Sequence, residues 1–258
     1  VDGIILKGCA MDRLKNKVAI VTGGARGIGK AIAERFVEEG AVVNIFDVNS
    51  AEAIVAEIRN TGGKAYSDVV DIRESASVNQ AVRGVAERCG TIDILVNNAG
   101  VVSTHENILS VTDEIWEREL NINLRGTFYC CRAVLGMMIE QKHGKIVNIS
   151  SLAGDTGRIQ TSPAYAASKA GVYGLTMSMA KSVAKYGINV NAVCPGLMLT
   201  DITKAYPEDI LQQLLSEVPY PRGGIPEDIA NAVLFLSSEE SEYITGARIR
   251  VNGGSWMG

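Results

Sequence analysis

The sequence predicts a single-domain α/β fold, a doubly wound parallel sheet with helices on both faces. Three observations predict it. Short β-branched runs alternate regularly with segments whose apolar residues recur at helical spacing; a glycine-rich turn joins the first such run to the first such segment; and a chain of 258 residues with 47% hydrophobic content can enclose one full core between two helical layers.

Val18-Ala19-Ile20-Val21 reads as the first strand and breaks at Gly23-Gly24, after which Ile28, Ile32, Phe36 and Val37 recur at helical spacing. Residues 42–46 follow as strand, 51–59 as helix, 64–70 as strand, 75–88 as helix and 92–96 as the fourth strand. A long helical stretch then runs through Trp116, Leu120, Phe128, Val134 and Met138 and closes at His143-Gly144, ahead of the strand Ile146-Val147-Asn148-Ile149. The helix over 163–186 starts with proline in its first turn, where a missing N–H is no loss. Strand 189–193 ends at Pro195-Gly196, 226–237 is a helix and 247–251 the last strand. The least regular part, 197–224, carries Pro207, Pro219 and Pro221 around a helix at 209–215. An insertion after a strand of an open α/β sheet lies over the carboxyl edge, where ligands bind, so 197–224 is expected to be a substrate lid.

Composition excludes several functions. Charged residues are 21% and the net charge is −4, so the basic field that nucleic-acid binding requires is missing. The 5 cysteines, Cys9, Cys89, Cys130, Cys131 and Cys194, are odd in number without metal-ligand spacing, and read as reduced core thiols. No apolar run approaches the roughly 18 residues of a membrane span, and Ile4-Ile5-Leu6 is too short for a signal-peptide core. A cytoplasmic protein is expected. Met11 reads as a natural start, with residues 1–10 as a leader or extension and 11–258 as the folded domain. His105 and His143 are the only histidines, which argues against a His-based metal site or a Ser-His-Asp hydrolase; no metal is expected. His143 reads as a helix-end capping residue and His105 as a solvated loop residue.

The chemistry is carried by Tyr165-Ala166-Ala167-Ser168-Lys169. Residues four apart share a helix face, which sets a phenol beside an ammonium. A free tyrosine has a pKa of about 10, and lowering it by roughly three units takes about 4 kcal/mol, which a neighbouring cation can supply. About a third of one such pair is expected by chance in a chain of this kind. Its weight therefore comes from its company: Ser150-Ser151 at the end of a strand-like run, and the turn Thr22-Gly23-Gly24-Ala25-Arg26-Gly27-Ile28-Gly29. Gly23, Gly27 and Gly29 allow a sharp turn and close approach to a pyrophosphate, and the helix that follows offers unpaired N–H groups, with Arg26 and Ile28 in the same turn. Asp47 closes the second strand about twenty residues downstream, where a carboxylate accepts hydrogen bonds from an adenosine ribose. NAD(H) is therefore favoured over NADP(H), whose 2′-phosphate would be repelled unless Arg26 compensated. The alternative for Asp47 is a turn residue in Asp47-Val48-Asn49-Ser50.

These residues resemble the short-chain dehydrogenase/reductase family, in its compact single-domain branch. The likeness runs from about Lys17 to the C-terminus and adds Asp71-Ile72, Asn97-Asn98-Ala99-Gly100, Asn123 in Asn123-Leu124-Arg125-Gly126, Pro195-Gly196 and the terminal glycines Gly246, Gly253 and Gly254. Within it, Asn191-Ala192-Val193-Cys194-Pro195-Gly196 and Tyr243-Ile244-Thr245-Gly246 are most similar to the 3-oxoacyl-[acyl carrier protein] reductases. The resemblance implies a Rossmann-like fold and a catalytic set of Asn123, Ser151, Tyr165 and Lys169. Tyr165 would exchange a proton with the substrate oxygen, Lys169 would lower its pKa and bond the nicotinamide ribose, Ser151 would bond the substrate oxygen, and Asn123 would hold a water chain to Lys169. Ser151 rather than Ser150 matches the family position, although its spacing to Tyr165 is one residue longer than in typical reductases of this type. Asn123 has the alternative of bridging a helix irregularity, and Ser151 that of a strand-end turn residue.

Asp71 and Ile72 would meet the adenine, with a helix cap as the alternative for Asp71. Asn98 and Gly100 would floor the adenine ribose and Thr200 would reach the nicotinamide carboxamide, with Ala99, Pro195, Gly196 and Met198 in the same cofactor-binding set. Family members of this type are usually homotetramers, built on the two long helices and the last strand. The acyl-carrier reductases commonly use NADPH, from which Asp47 departs, and meet an acidic carrier protein through basic rim residues. Lys142 falls at one such position and Lys185 lies beside Tyr186 at the other, a weak case for an acyl carrier partner. The leading expectation is an NAD(H)-dependent enzyme interconverting a secondary alcohol and a ketone, including a 3-oxoacyl thioester. The alternatives are a polyol, steroid or cyclic-alcohol dehydrogenase and, more remotely, a non-catalytic NAD-sensing protein. Apolar lid residues suggest a partly apolar substrate, and Arg158 reads as an exposed loop residue, with holding a substrate carboxylate as the alternative.

Overall fold

In the computed structural model residues 12–104, 107–157, 161–200, 203 and 206–258 are described. The expectations for residues 1–10, Met11, His105 and Arg158, and for residues 201, 202, 204 and 205 of the lid, fall outside them. The strands are β1 (Val18–Thr22), β2 (Val42–Asp47), β3 (Lys64–Val69), β4 (Ile94–Asn97), β5 (Gly144–Ile149), β6 (Ile188–Pro195) and β7 (Arg248–Val251). They form a 7-stranded sheet in the order β3-β2-β1-β4-β5-β6-β7. Every pairing is parallel, with Val21 opposite Ile45 on one side of β1 and Ile20 opposite Leu95 on the other. The chain winds outward from β1 to β3, returns past β1 to β4, and winds outward again to β7. The reversal leaves a crevice at the carboxyl ends of β1 and β4.

Helices α1 (Gly27–Glu38) and α9 (Pro226–Ser237) cover one face, with α2 (Glu52–Asn60) beside them. Helices α3 (Ser75–Cys89), α5 (Thr127–Gln141) and α7 (Pro163–Val183) cover the other. Successive strand residues point to opposite layers. Ala19, Val21, Ile45, Ile94 and Val147 pack on Ile32, Phe36, Val233 and Leu234. Ile20, Phe46, Leu95, Ile146 and Val190 pack on Val78, Val85, Val134 and Met138. Because both faces are covered, β1, β4, β5 and β6 are buried along their whole length, which is why apolar residues predominate in them, with Asn97, Lys145, Asn148, Asn189 and Asn191 buried among these.

Three differences from the sequence expectation matter for the site. The long helix through Trp116 and Met138 is interrupted: α4 (Asp113–Glu119) passes into a π-helical segment, Leu120–Gly126, before α5 begins. The helix expected over 163–186 ends as an α-helix at Val183, and its last turn tightens to a 3-10 helix, Ala184–Tyr186, before Gly187 turns at φ 72°. A short helix after β5, α6 (Ala153–Thr156), has no periodicity to reveal it. The remaining lid helix, α8 (Glu208–Ser216), extends one residue beyond its expected span at each end.

Cys89, Cys130, Cys131 and Cys194 are free thiols, and burial pushes Cys130 and Cys131 upward. His143 donates its backbone N–H to Met138 O at the end of α5, and burial holds its imidazole below the usual range. Among the described residues, no helix is long and apolar enough to cross a membrane, and no group of three or more His, Cys, Asp or Glu side chains is placed to hold a metal.

Candidate active site

A cavity of about 950 Å³ opens along the carboxyl ends of the strands, from Asp47 and Asp71 at one end, past the glycine turn, to Tyr165, Met198 and Tyr206 at the other. The glycine turn is shaped by steric necessity. Gly23 has φ +64°, and a Cβ there would lie 2.8 Å from Ala99 Cα. Gly27 has φ +55° with no atom within 4 Å of its Cβ position, so its backbone faces open space. Helix α1 starts at Gly27 with no side-chain cap and no acid in its first turn, leaving N–H groups and a positive dipole end for an anion. Gly29 plays a different part. It does not line the cavity; a Cβ there would lie 2.1 Å from Gly23 O, so it lets α1 pack against the turn.

Asp47 ends β2 at the cavity wall. Its Oδ2 accepts the Ala25 N–H at 3.1 Å and its Oδ1 the Asn49 N–H at 3.0 Å. The turn reading is thus realised together with a place facing the cavity. Asp71 and Ile72 line the same end. Asp71 is not the helix cap considered as its alternative, because the N-cap of α3 is Glu74. Its carboxylate instead takes the Arg73 guanidinium at 2.5 Å, which holds Asp71 below the usual carboxylate range. Asn98 Nδ2 donates to Thr22 O and Gly23 O, both at 3.0 Å, welding the end of β4 to the glycine turn. Arg26, Ile28, Ala99, Gly100, Pro195, Gly196, Met198 and Thr200 also line the cavity. These residues fit a dinucleotide: an unencumbered helix N-terminus at the middle of the cavity and a carboxylate at the end of β2.

The two serines separate cleanly. Ser150 is buried and its hydroxyl donates to Lys169 O at 2.8 Å, tying β5 to α7. Ser151 is half-buried on the cavity wall, and its Oγ accepts the Ala153 N–H at 3.2 Å, which opens α6. Tyr165 is the third residue of α7, and Ser162 caps that helix by accepting the Tyr165 N–H at 3.2 Å. Lys169 lies one turn on and is 4% exposed. Its Nζ donates to Ile149 O at 2.8 Å and stands 5.9 Å from the Tyr165 ring centroid. Burial lowers Lys169 to about 8.

Asn123 does not line the cavity; it is fully buried behind Gly100. The π-helical segment lets its carboxamide reach back to Val101, accepting the N–H at 2.8 Å and donating to the C=O at 2.9 Å, with a further bond to Ser168 Oγ at 3.0 Å. Asn123 therefore sits on a helix irregularity, and a Cβ on Gly100 would lie 3.2 Å from its Oδ1 and 3.3 Å from Lys169 Nζ. The lid segment is pinched at its neck: Leu199 N–H donates to Gly224 O at 2.7 Å and Gly224 N–H to Leu197 O at 3.0 Å.

Lys142 and Lys185 are not brought to the cavity rim. They precede β5 and β6, at the amino edge of the sheet, whereas the cavity lies at the carboxyl edge. Sequence reading passed over Glu119, Ser162, Ser168 and Arg73. A carboxylate four residues before Asn123, in an otherwise apolar stripe, was the one available sign of Glu119.

The chain matches the family described as Enoyl-(Acyl carrier protein) reductase over residues 23–255. It is 40% identical over 246 residues to the 3-oxoacyl-[acyl-carrier-protein] reductase FabG of Staphylococcus epidermidis, covering 94% of this chain and 100% of that one. With the protein of the same name from Vibrio harveyi it shares 42% over 247 residues, 95% of this chain and 99% of the other. Among solved structures, gox2181 superposes with a TM-score of 0.91 at 38% identity, over 96% of this chain and 99% of its own. Levodione reductase does so with 0.88 at 32%, over 93% and 98%. Sheet order, cavity and these full-length likenesses agree: this chain belongs to the short-chain dehydrogenase/reductase family of oxidoreductases.

Proposed function

We propose that the protein interconverts a secondary alcohol and a ketone with NAD(H), and that its substrate is a 3-oxoacyl thioester. The observation that carries this reading is the placement of the buried Lys169 ammonium, anchored on Ile149 O, 5.9 Å from the ring of Tyr165 beside the cavity. Nicotinamide dinucleotide, when bound, supplies or accepts the hydride. Tyr165 gives the proton to the carbonyl oxygen in reduction and takes it back in oxidation. Lys169 favours the phenolate by its charge, and the Ser151 hydroxyl bonds the substrate oxygen where charge develops. Asn123 holds the Val101 backbone and Ser168 in register behind Lys169. The N–H groups opening α1 meet the pyrophosphate, and the carboxylate of Asp47 receives the adenosine ribose hydroxyls and disfavours a 2′-phosphate.

A thioester is favoured by the relatives named as 3-oxoacyl-[acyl-carrier-protein] reductases. An acyl carrier remains a weaker proposal, since Lys142 and Lys185 lie away from the cavity of their own chain. A polyol, steroid or cyclic-alcohol substrate is the second reading, and Val101, Val102, Leu197 and Met198 on the cavity wall favour its apolar members, the steroid and the cyclic alcohol. A homotetramer in the cytoplasm is part of the proposal. Trp116, Phe128 and Met177 are exposed on α4, α5 and α7, where a partner chain would cover them. The 11–258 segment acts as one catalytic domain, with 197–224 as lid.

The test is reduction of acetoacetyl thioester by the purified protein with NADH and NADPH in parallel. Turnover favouring NADH is expected; turnover with NADPH alone would show that Arg26 outweighs Asp47. Tyr165→Phe is expected to abolish turnover while NADH still binds, and full activity in that variant would overturn the mechanism.

A further inference from the structure

Glu119 ends α4 and is fully buried. A buried carboxylate is costly unless its oxygens are hydrogen-bonded, and here each oxygen has a donor from a different element. One accepts the backbone N–H of Ser103, in the loop after β4. The other accepts the hydroxyl of Ser162. Ser162 also donates its own N–H to Ser103 O at 3.0 Å and accepts the Tyr165 N–H on its Oγ at 3.2 Å. A closed ring of hydrogen bonds through Glu119, Ser103 and Ser162 thus ends on the backbone of Tyr165.

Two physical effects act on the first turn of α7. A hydroxyl that donates to a carboxylate becomes a better acceptor, so the cap on Tyr165 N–H is stronger than a lone serine provides. In addition, α7 has no acidic residue in its own first turn, and Glu119 brings negative charge to that positive helix end from a neighbouring helix. Four residues after Glu119, Asn123 grips Val101 by both backbone groups. The loop 100–103, which lines the cavity through Gly100, Val101 and Val102, is therefore held at alternate residues by two side chains of one helical segment.

We propose that Glu119 is a positioning residue for Tyr165: through Ser162 it fixes the first turn of α7 against the 100–103 loop and so sets where the phenol stands over the cavity. The inference rests on the reading of Tyr165 as the proton-transfer group.

Glu119→Ala, Glu119→Gln, Ser162→Ala and the double alanine variant test it, with acetoacetyl thioester and saturating NADH, NADH binding by fluorescence, and amide hydrogen exchange. In Glu119→Ala, kcat falls about tenfold or more while NADH affinity changes less than about twofold. The amides of Ser103 and Tyr165 exchange about tenfold faster, with β5 and the last turns of α7 unchanged. Glu119→Gln keeps one acceptor and restores much of the rate. The double variant is no slower than the slower single one, as for residues acting through one bond. A kcat per folded site within about twofold of the parent, or faster exchange spread evenly over the sheet, would overturn the proposal. The exchange arm needs no substrate, and Ser162→Ala, which removes the same link to the Tyr165 N–H, carries the same comparison if Glu119→Ala does not fold. Full activity in Tyr165→Phe would remove the underlying reading; an inactive Tyr165→Phe beside an unimpaired Glu119→Ala would remove this inference alone.

Discussion

At the scale of single residues, function is divided between groups that face the cavity and groups that hold them. Ser150 and Ser151 are adjacent and chemically identical, yet one bonds Lys169 O and the other reaches the cavity wall. Asp47 does both jobs, since it fixes the Ala25 N–H and presents a carboxylate to the cavity end that it shares with Asp71. Asp47→Asn keeps one oxygen for the Ala25 N–H while removing the charge and the acceptor of the Asn49 N–H. The ratio of kcat/KM for NADH to that for NADPH is expected to fall at least about tenfold, a change of about 1.4 kcal/mol. Parallel titration of the two cofactors measures it, and an unchanged ratio would show that Asp47 is not the selector.

At the scale of elements, the glycine turn and α1 form one rigid unit whose spacing leaves no room for a methyl group. A Cβ at Gly29 would lie 2.1 Å from Gly23 O and 2.6 Å from Asn98 Nδ2, so α1 would have to back away from the turn. Gly29→Ala is expected to lower stability by about 1–3 kcal/mol through overpacking and to weaken dinucleotide binding further. Denaturant melts with and without NADH separate the two losses. The interrupted helix α4–α5 shows the complementary case. Its π-helical segment is an irregularity that periodicity cannot display, because apolar residues continue through it, yet it turns Asn123 toward Val101.

At the scale of the whole molecule, the site is held at a cost in stability. Burial lowers Lys169 from the usual lysine value of 10.5 to about 8, so the unfolded chain binds more protons than the folded one between those values. Stability therefore rises with pH across that window, and the charged lysine is a fixed burden below it. Lys169→Met is expected to be inactive, more stable than the parent at pH 7, and to lose that advantage as pH rises from 8 toward 10.5. Thermal melts across that range check the sign; a constant difference between the two proteins would contradict it.

The sequence by itself determined the sheet, the order of its elements, the glycine turn and the pairing of Tyr165 with Lys169. All of these rest on local periodicity, on glycines with constrained backbones, and on residues close in the chain. It also placed Asp47 and Ser151 at strand ends, where a parallel sheet collects its ligands. What only the tertiary structure decided were contacts between residues far apart in sequence. Gly29 left the cavity wall and packed beside Asn98, and Lys142 and Lys185 fell at the opposite edge of the sheet. Glu119 joined Ser103 to the cap of Tyr165 across 43 residues of chain. A buried polar group is decided by which donors the packed elements bring to it, and no window along the chain contains them.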